Sequence, residues 1–147
     1  MNNPRYRAFR FIHPDVEPGD ASGLSIAPTG GVAMAEEHAS VRQAILLLLS
    51  TIPGERVMRP HYGCDLFRLM FSPNDDSTAG LAIHYVRRAL RQWEPRIDVL
   101  SVDAGRDDAV PGNLNLLLRY RVRATQRVEE FNLPVDLRGA DEVRRQV

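Results

Sequence analysis

Lysine is absent from the sequence, and all 19 basic residues are arginine. They are balanced by 19 aspartate and glutamate residues, so the formal net charge is zero at pH 7. A neutral chain lacks the summed positive field on which non-specific nucleic-acid binding depends, and we expect no nucleic-acid partner. Arginine is suited to fixed, bidentate pairing with carboxylates, so its exclusive use favours interfaces with other proteins.

Cysteine is nearly absent, since Cys64 is the one thiol in 147 residues. A single thiol excludes an intramolecular disulfide and a multi-cysteine metal site, which is typical of a reducing compartment. The histidines are scattered without the spacing of a metal motif: His13, His38, His61 and His84. No glycine-rich phosphate loop opens a helix, so we expect neither a metal nor another cofactor.

Long apolar runs are absent as well. The longest, residues 44–49, is far shorter than the roughly 20 residues that a membrane-spanning helix needs. The N-terminal residues have neither the apolar core nor the small-residue cleavage site of a secretory signal. We therefore expect no membrane insertion and a cytoplasmic product.

The first clear pattern is that of an amphipathic helix beginning at Glu36. Apolar residues then recur at i, i+3, i+4, i+7 and i+8, and Glu36 and Glu37 lie near the positive N-terminal end of the predicted helix. Leu46 and Leu47 make the opposite face apolar too. The helix is therefore either central to the core or covered by a partner.

A second helix is predicted to begin at SPNDDST, where Asp75, Asp76 and Ser77 are candidate N-caps, and to end at Pro95. Its apolar positions have helical spacing: Ala82, Val86, Ala89, Leu90 and Trp93. Between the helices, residues 64–71 predict a short helical turn. Its apolar side chains are expected to pack inward: Leu66, Phe67, Leu69, Met70 and Phe71.

From residue 97 the period becomes two, which predicts strands over 97–103, 114–124 and 128–137. In the first of them, Ile97, Val99, Ser101 and Asp103 are expected on one face. A shorter alternation over 6–11 predicts an edge strand within an extended N-terminal segment. The predicted fold class is α+β: two main helices and a short one packed on a C-terminal antiparallel three-stranded meander. The expected division is an extended segment 1–30, a domain 31–137 and a charged tail 138–147.

The stretch WEPRI predicts a stiff corner between the second helix and the first strand of the meander. Pro95 fixes the backbone, and Glu94 and Arg96 lie on either side of it with Trp93 as an apolar anchor. The two charges could staple the corner internally or bind a partner, and both interpretations stay open. The connection after the first helix contains Pro53, Gly54, Glu55 and Arg56, which predict a pre-ordered ion-pair loop that loses little entropy on docking.

Glu55 and Glu94 are also the best-placed carboxylates for a glycoside hydrolase. Such a pair needs one carboxyl that keeps its proton in an apolar site, with the two groups about 5–9.5 Å apart. Each carboxylate has an arginine close in sequence, which favours the ionised form. We therefore predict no catalytic residue, and keep a muralytic, lysozyme-like hydrolase as the alternative.

The residues AILLLLSTIPGERVMRPHYGCDLFRLMF, the later AL-x-x-WEPRI and the strand pattern Tyr120-x-Val122 resemble the baseplate wedge and sheath-initiator family of contractile phage tails. This family is also known as the gene 25-like lysozymes, and the resemblance spans residues 31–133. It implies a non-enzymatic baseplate subunit, present in six copies per assembly of a phage tail, a phage-tail-like particle or a type VI-like baseplate. It also implies that Trp93, Glu94, Pro95 and Arg96 bind the wedge core bundle.

The resemblance further implies that the terminal strands share a sheet with contractile sheath subunits. An edge strand offers backbone groups that another chain can pair with. The predicted edge is the polar–apolar alternation of Val128, Glu129, Glu130, Phe131, Asn132 and Leu133. Covering of this edge by the N-terminal segment is the alternative. The expected partners are other wedge proteins and sheath subunits, with inner-tube or spike-hub proteins as further candidates. A small adaptor outside any tail system is a third hypothesis.

Overall fold

The computed structural model describes residues 5–12 and 23–139. Its contacts divide the chain into two compact units, Met1–Leu46 and Leu47–Val147. The predicted domain boundaries after residues 30 and 137 stay predictions. His13 and nearly all of the predicted tail, from residue 140 on, lie outside the described residues.

The described residues of the first unit form four short strands, paired two by two. Strand β1 (Arg7–Phe9) pairs antiparallel with β4 (Met34–Glu36), and β2 (Phe11–Ile12) pairs with β3 (Gly23–Leu24). The strand predicted over 6–11 is therefore two strands with a break at Arg10. At this break the Arg10 amide donates to the Ala33 carbonyl (2.8 Å), whereas the Arg10 carbonyl accepts from the Ser25 amide (3.1 Å).

Helix α1 (Glu37–Ser50) follows β4 directly and confirms the first predicted helix. Within the first unit, the Gln43 amide ties it to the strands: Nε2 donates to the Phe9 carbonyl (2.7 Å) and Oε1 accepts from the Phe11 amide (2.8 Å). The predicted apolar face is mostly buried, and Leu46 on the other face is buried too.

The short helical turn is a 3-10 helix (Asp65–Leu69). Leu66 and Leu69 are buried as predicted, but the prediction that Phe67, Met70 and Phe71 pack inward is wrong, because all three are exposed. A 3-10 helix has three residues per turn, so residues 66 and 69 share the inner face and residues 67 and 70 share the outer one. Phe71 then has φ +66° and its amide donates to the Leu137 carbonyl (2.6 Å).

Helix α2 (Asp76–Trp93) confirms the second predicted helix and its capping signal. Asp75 is the N-cap, and its Oδ1 accepts from the Thr78 amide (2.9 Å), which satisfies a donor that the first helical turn leaves unpaired. The apolar positions at helical spacing are buried: Ala82, Val86, Ala89 and Leu90. This face packs on the first strand of the sheet.

The sheet consists of β5 (Ile97–Arg106), β6 (Asn113–Val122) and β7 (Val128–Asp136), antiparallel in the order β5-β6-β7. This confirms the predicted α+β meander. The central strand supplies the largest share of the core of this unit, because every second side chain is at most 1% exposed: Leu114, Leu116, Leu118, Tyr120 and Val122. Burying each such side chain stabilises the fold by roughly 1.5–3 kcal/mol.

The uniform alternation predicted for β5 is wrong at one point. The register shifts between Val99 and Ser101, so Leu100 is the extra residue of a bulge and is 44% exposed. An inserted residue reverses which parity faces inward. Ile97 is therefore buried before the bulge and Val102 after it, although they differ in parity.

Candidate functional site

The predicted corner forms where α2 ends and β5 begins. The Glu94 amide donates to the Leu90 carbonyl (2.9 Å) and so makes the last hydrogen bond of the helix. Pro95 cannot continue this ladder because it lacks an amide hydrogen. The Arg96 carbonyl then accepts from the Arg123 amide (2.9 Å), which fixes the corner to the chain just beyond β6.

Glu94 and Arg96 form a bidentate ion pair across Pro95. Arg96 Nε donates to Glu94 Oε1 and Nη2 donates to Oε2, both at 2.6 Å. The Glu94 side chain is only 5% exposed, whereas that of Arg96 is 29% exposed. The internal staple is thus formed, and the outer side of the guanidinium still reaches the surface.

The predicted ion-pair loop is ordered by a turn and not by an ion pair within it. The Glu55 amide donates to the Ile52 carbonyl (3.0 Å) around Pro53 and Gly54, and Gly54 has φ +95° as the third residue of a type II turn requires. Glu55 Oε2 accepts from the Ile52 amide (3.1 Å). Glu55 therefore closes its own turn, and the guanidinium of Arg56 contacts the ring of Tyr62 instead.

Tyr62 connects the loop to the corner, and sequence reasoning missed it. The Arg56 guanidinium lies 4.7 Å from the centroid of the Tyr62 ring, and that ring meets Trp93 edge to face at 5.4 Å. Each contact contributes roughly 0.5–1.5 kcal/mol. The signal available in the sequence was an aromatic residue immediately before a glycine in an otherwise polar connection. We call Arg56, Tyr62, Trp93, Glu94 and Arg96 the corner cluster.

Gly63 closes the base of this loop. The Cys64 amide donates to the Thr51 carbonyl (2.9 Å), so the two ends of the connection are hydrogen-bonded to each other. A Cβ on Gly63 would lie 2.5 Å from the Thr51 carbonyl oxygen, and φ is +139°. Only glycine fits this close approach without displacing backbone.

The Tyr62 phenol of the corner cluster stays neutral at ordinary pH. Burial raises the pKa of Tyr62, the Arg56 guanidinium opposes the rise, and the Glu94 carboxylate adds to it. Burial also raises the pKa of the Cys64 thiol to about 11. Neither group is therefore an activated nucleophile near pH 7.

The carboxylates considered for hydrolysis are both engaged as hydrogen-bond acceptors. Arg96 donates to both oxygens of Glu94, and Glu55 accepts from the Ile52 amide. A general acid must instead donate its proton to the leaving group. For Glu94 the geometry opposes that role, because both of its oxygens are bound by Arg96.

The outer edge of β7 carries the second predicted surface. The Leu137 amide donates to the Gly112 carbonyl (3.0 Å) and the Val122 amide to the Arg127 carbonyl (2.9 Å), so odd-numbered residues of this segment bond to β6. In an antiparallel ladder the even-numbered backbone groups then point to the other side. Pro134, which has no amide hydrogen, is one of these. Val128, Glu130 and Asn132 are exposed whereas Phe131 is buried, as the predicted alternation requires.

Residues 5–12 and 23–139 contain neither a metal-binding cluster nor a membrane-spanning helix. Within these ranges, no three histidine, cysteine, aspartate or glutamate side chains are grouped so that they could hold a metal ion. None of the helices there is both long and apolar enough to cross a membrane.

A protein-family model, described as the baseplate wedge protein gp25, matches residues 35–127. The match runs from β4 through the whole corner cluster to the end of the β6–β7 connection. The baseplate wedge protein gp25 of Enterobacteria phage T4 is 34% identical over 64 residues, which are 44% of this chain and 48% of that protein. The chain thus matches about half the length of this curated relative.

Solved structures have the same fold. A Geobacter sulfurreducens protein, described as a proposed tail lysozyme, is 38% identical with a TM-score of 0.65, and the match covers 74% of this chain and 99% of that one. A chain of the anti-feeding prophage baseplate is 19% identical, with a TM-score of 0.57 and coverage of 84% and 88%. A chain of the type VI secretion baseplate complex is 16% identical, with a TM-score of 0.54 and coverage of 68% and 93%.

Proposed function

The chain belongs to the family of the baseplate wedge protein gp25, and from that membership we propose that it is a structural subunit of the baseplate in a contractile phage tail or injection system. It joins the wedge core bundle to the first ring of sheath subunits. Six copies surround the tube, and the subunit is assembled in the cytoplasm. Its partners are other wedge proteins and sheath subunits.

The observation that carries this proposal is the corner cluster. Two segments about 40 residues apart in sequence are linked by Arg56, Tyr62 and Trp93 into one contact chain, with the Glu94–Arg96 pair at its end. Side chains that are fixed before binding lose little entropy on docking. The Arg96 guanidinium is partly exposed and Pro95 is exposed, so both can contact a partner while the internal staple persists.

The second contact is strand addition at β7. The even-numbered backbone groups of β7 point away from β6, and Val128, Glu130 and Asn132 lie on the exposed side of the strand. A strand of a sheath subunit pairs along this side through ladder hydrogen bonds, displacing whatever lies there beforehand. The polar face of β7 remains towards solvent after pairing.

Our proposal assigns no lysozyme activity to the chain, despite the family's lysozyme name. Glu55 and Glu94 are hydrogen-bond acceptors within the structure. Purified protein is expected to release no peptidoglycan fragments above a heat-inactivated sample. Turnover by the wild type that is lost in Glu55→Gln or Glu94→Gln would overturn the structural assignment in favour of the hydrolase.

The wedge contact is tested by co-expression with the other baseplate proteins encoded by the same particle. The wild type is expected to co-purify in wedge complexes, and a Glu94→Met/Arg96→Met variant to be folded but excluded from them. Normal incorporation of this variant would refute the docking role of the corner. Failure of the wild type itself to associate with any wedge protein would refute the proposed function as a whole.

The sheath contact is tested at Asn132, whose amide points away from β6. Asn132→Pro removes that donor and leaves the β6–β7 ladder intact, whereas the matched control Asn132→Ala retains it. Wedges containing the proline variant are expected to form but to start no sheath, as counted by negative-stain electron microscopy. Sheath growth at the wild-type level from the proline variant would refute strand addition at this edge.

A further inference from the structure

The connection between α1 and the 3-10 helix exposes two adjacent large apolar side chains. Val57 is 94% exposed and Met58 is 90% exposed. We call these two residues the apolar tip. They contribute nothing to the core, and every residue from Gly54 to His61 is exposed around them.

The apolar tip is held by consecutive tight turns. The Arg59 amide donates to the Arg56 carbonyl (3.3 Å), which makes Val57 and Met58 the two central residues of a β-turn. The Tyr62 amide donates to the Arg59 carbonyl (3.1 Å) in the next turn. Below the tip, Arg56 lies on the ring of Tyr62 and the Cys64 amide closes the loop on Thr51. The tip therefore projects from an ordered base.

Valine and methionine are unusual residues for this position. The central residues of β-turns are dominated by glycine, proline, asparagine, aspartate and serine, each of which supports the turn or its solvation. An exposed apolar pair supports neither, and contiguous exposed apolar surface marks interaction sites. The turn itself therefore does not explain why these two positions are apolar, and a contact with another protein would explain it.

The charges beside the tip indicate what it meets. Arg59 follows the tip directly, and the guanidinium of Arg56 lies over the Tyr62 ring at its base. The carboxylate of the neighbouring Glu55 is turned back to the Ile52 amide. The tip is therefore apolar at its centre, with the positive charge of Arg59 next to it and that of Arg56 at its base. A complementary surface has an apolar pocket with carboxylates at its rim.

We propose that the apolar tip is an anchor that inserts into a carboxylate-rimmed apolar pocket on another wedge protein of the baseplate. This inference rests on the proposed function and adds a contact beyond the corner cluster. The tip is joined to that cluster through Arg56 and Tyr62, so both contacts belong to one continuous surface. Two side chains alone bury far less than the roughly 1,000 Å² of a stable interface, which is why the occupant must contact the neighbouring surface as well.

The experiment compares two double variants in the co-expressed wedge complex. Val57→Ser/Met58→Ser removes the tip. Leu24→Ser/Ile26→Ser is the matched control, because it replaces two apolar side chains that are 60% and 73% exposed elsewhere. The tip variant is expected to bind the purified wedge proteins about 10- to 100-fold more weakly, as buried anchor residues at interfaces do. Its melting temperature stays that of the wild type, because the removed side chains are already in solvent.

A charge reversal tests the rim. Arg59→Glu is expected to slow association with the wedge proteins, with a larger effect at low than at high ionic strength. A photoreactive benzoylphenylalanine at position 58 should cross-link to a wedge-protein peptide that contains both apolar and acidic residues.

The outcomes separate this inference from the proposed function. If the wild type associates with wedge proteins and the tip variant binds equally well, the function stands and the anchor is refuted. Equal weakening by the control variant would also refute it. Tip-dependent self-association in analytical ultracentrifugation, or tip-dependent sedimentation with phosphatidylglycerol vesicles, would assign the tip to a second copy or to a membrane and overturn the proposal.

Discussion

Replacing Arg96 by alanine is expected to destabilise the chain by about 3 kcal/mol, because the buried carboxylate of Glu94 loses its bidentate partner. The Glu94 side chain is 5% exposed, so water can replace the guanidinium only in part. Domains are stable by roughly 5–15 kcal/mol, so the variant still folds at 25 °C. Its melting temperature should fall by about 6–12 °C.

The assay is urea unfolding followed by fluorescence and far-UV circular dichroism. Trp93 is the only tryptophan and lies at the corner, so its emission reports on the site itself, whereas the dichroism reports on the whole chain. Glu94→Met/Arg96→Met removes both charges together and should lie within about 1 kcal/mol of the wild type, because no buried charge is left unpaired. Arg119→Ala is the surface control, since its pair with Glu130 is 3.8 Å long and both side chains are more than half exposed.

The control should change the free energy of unfolding by less than about 0.5 kcal/mol. The reasoning is refuted if Arg96→Ala is as stable as Arg119→Ala, or if the double methionine variant is as unstable as Arg96→Ala. The first result would mean that the pair is solvated. The second would mean that packing, and not charge pairing, holds the corner.

Three further predictions concern the loop base, the helix cap and the thiol. Gly63→Ala is expected to lower the free energy of unfolding by about 2 kcal/mol or more, because its Cβ would meet the Thr51 carbonyl at a positive φ. The control Gly80→Ala lies in an open helical position and should instead raise the free energy of unfolding by about 0.5–1 kcal/mol. Similar effects of the two changes would contradict the predicted clash at Gly63. The Asp75 pKa lies below its usual value of 3.8 because the Thr78 amide donates a hydrogen bond to the Asp75 carboxylate. The cap therefore stabilises the fold above that pH, and this stabilisation is lost on acidification. Asp75→Ala should lower the free energy of unfolding at pH 7 more than at pH 2, as measured by urea unfolding. Burial raises the Cys64 pKa from 9.0 to about 11, so unfolding should become easier as pH rises across that window, and Cys64→Ala should show a smaller loss there. A thiol reagent that labels the native chain as fast as the urea-unfolded one would contradict the burial of Cys64.

The sequence predicts best where one periodic pattern decides the structure. Both long helices and the three-stranded meander follow from spacing alone, because amphipathic periods of 3.6 and 2 have few structural alternatives. Residue type predicts a helix cap at Asp75, Asp76 or Ser77, and the structure selects Asp75. The errors arise where a single residue changes the geometry. The bulge at Leu100 reverses parity within an unbroken apolar pattern, and the tighter period of the 3-10 helix turns Phe67 and Met70 outward.

The site was predicted in parts but not as a whole. Glu94 and Arg96 are two residues apart, so their pairing could be anticipated from WEPRI. The connection of Arg56 through Tyr62 to Trp93 depends on how the loop folds back at Gly63, and no local pattern encodes that long-range approach. For the same reason the exposure of Val57 and Met58 could not be read from their hydrophobicity, which alone favours burial.

Pro134 limits the length of β7 along which a strand of another chain could pair. It removes a donor from the outward-facing row of β7, between Asn132 and Asp136. Pairing on that side is uninterrupted over residues 128–132 and then misses a bond, so a longer guest strand gains little from the remainder of β7. A proline on the edge of a sheet is one of the devices that discourage pairing with another sheet edge, so we expect Pro134 to shorten the ladder that a second copy could form here.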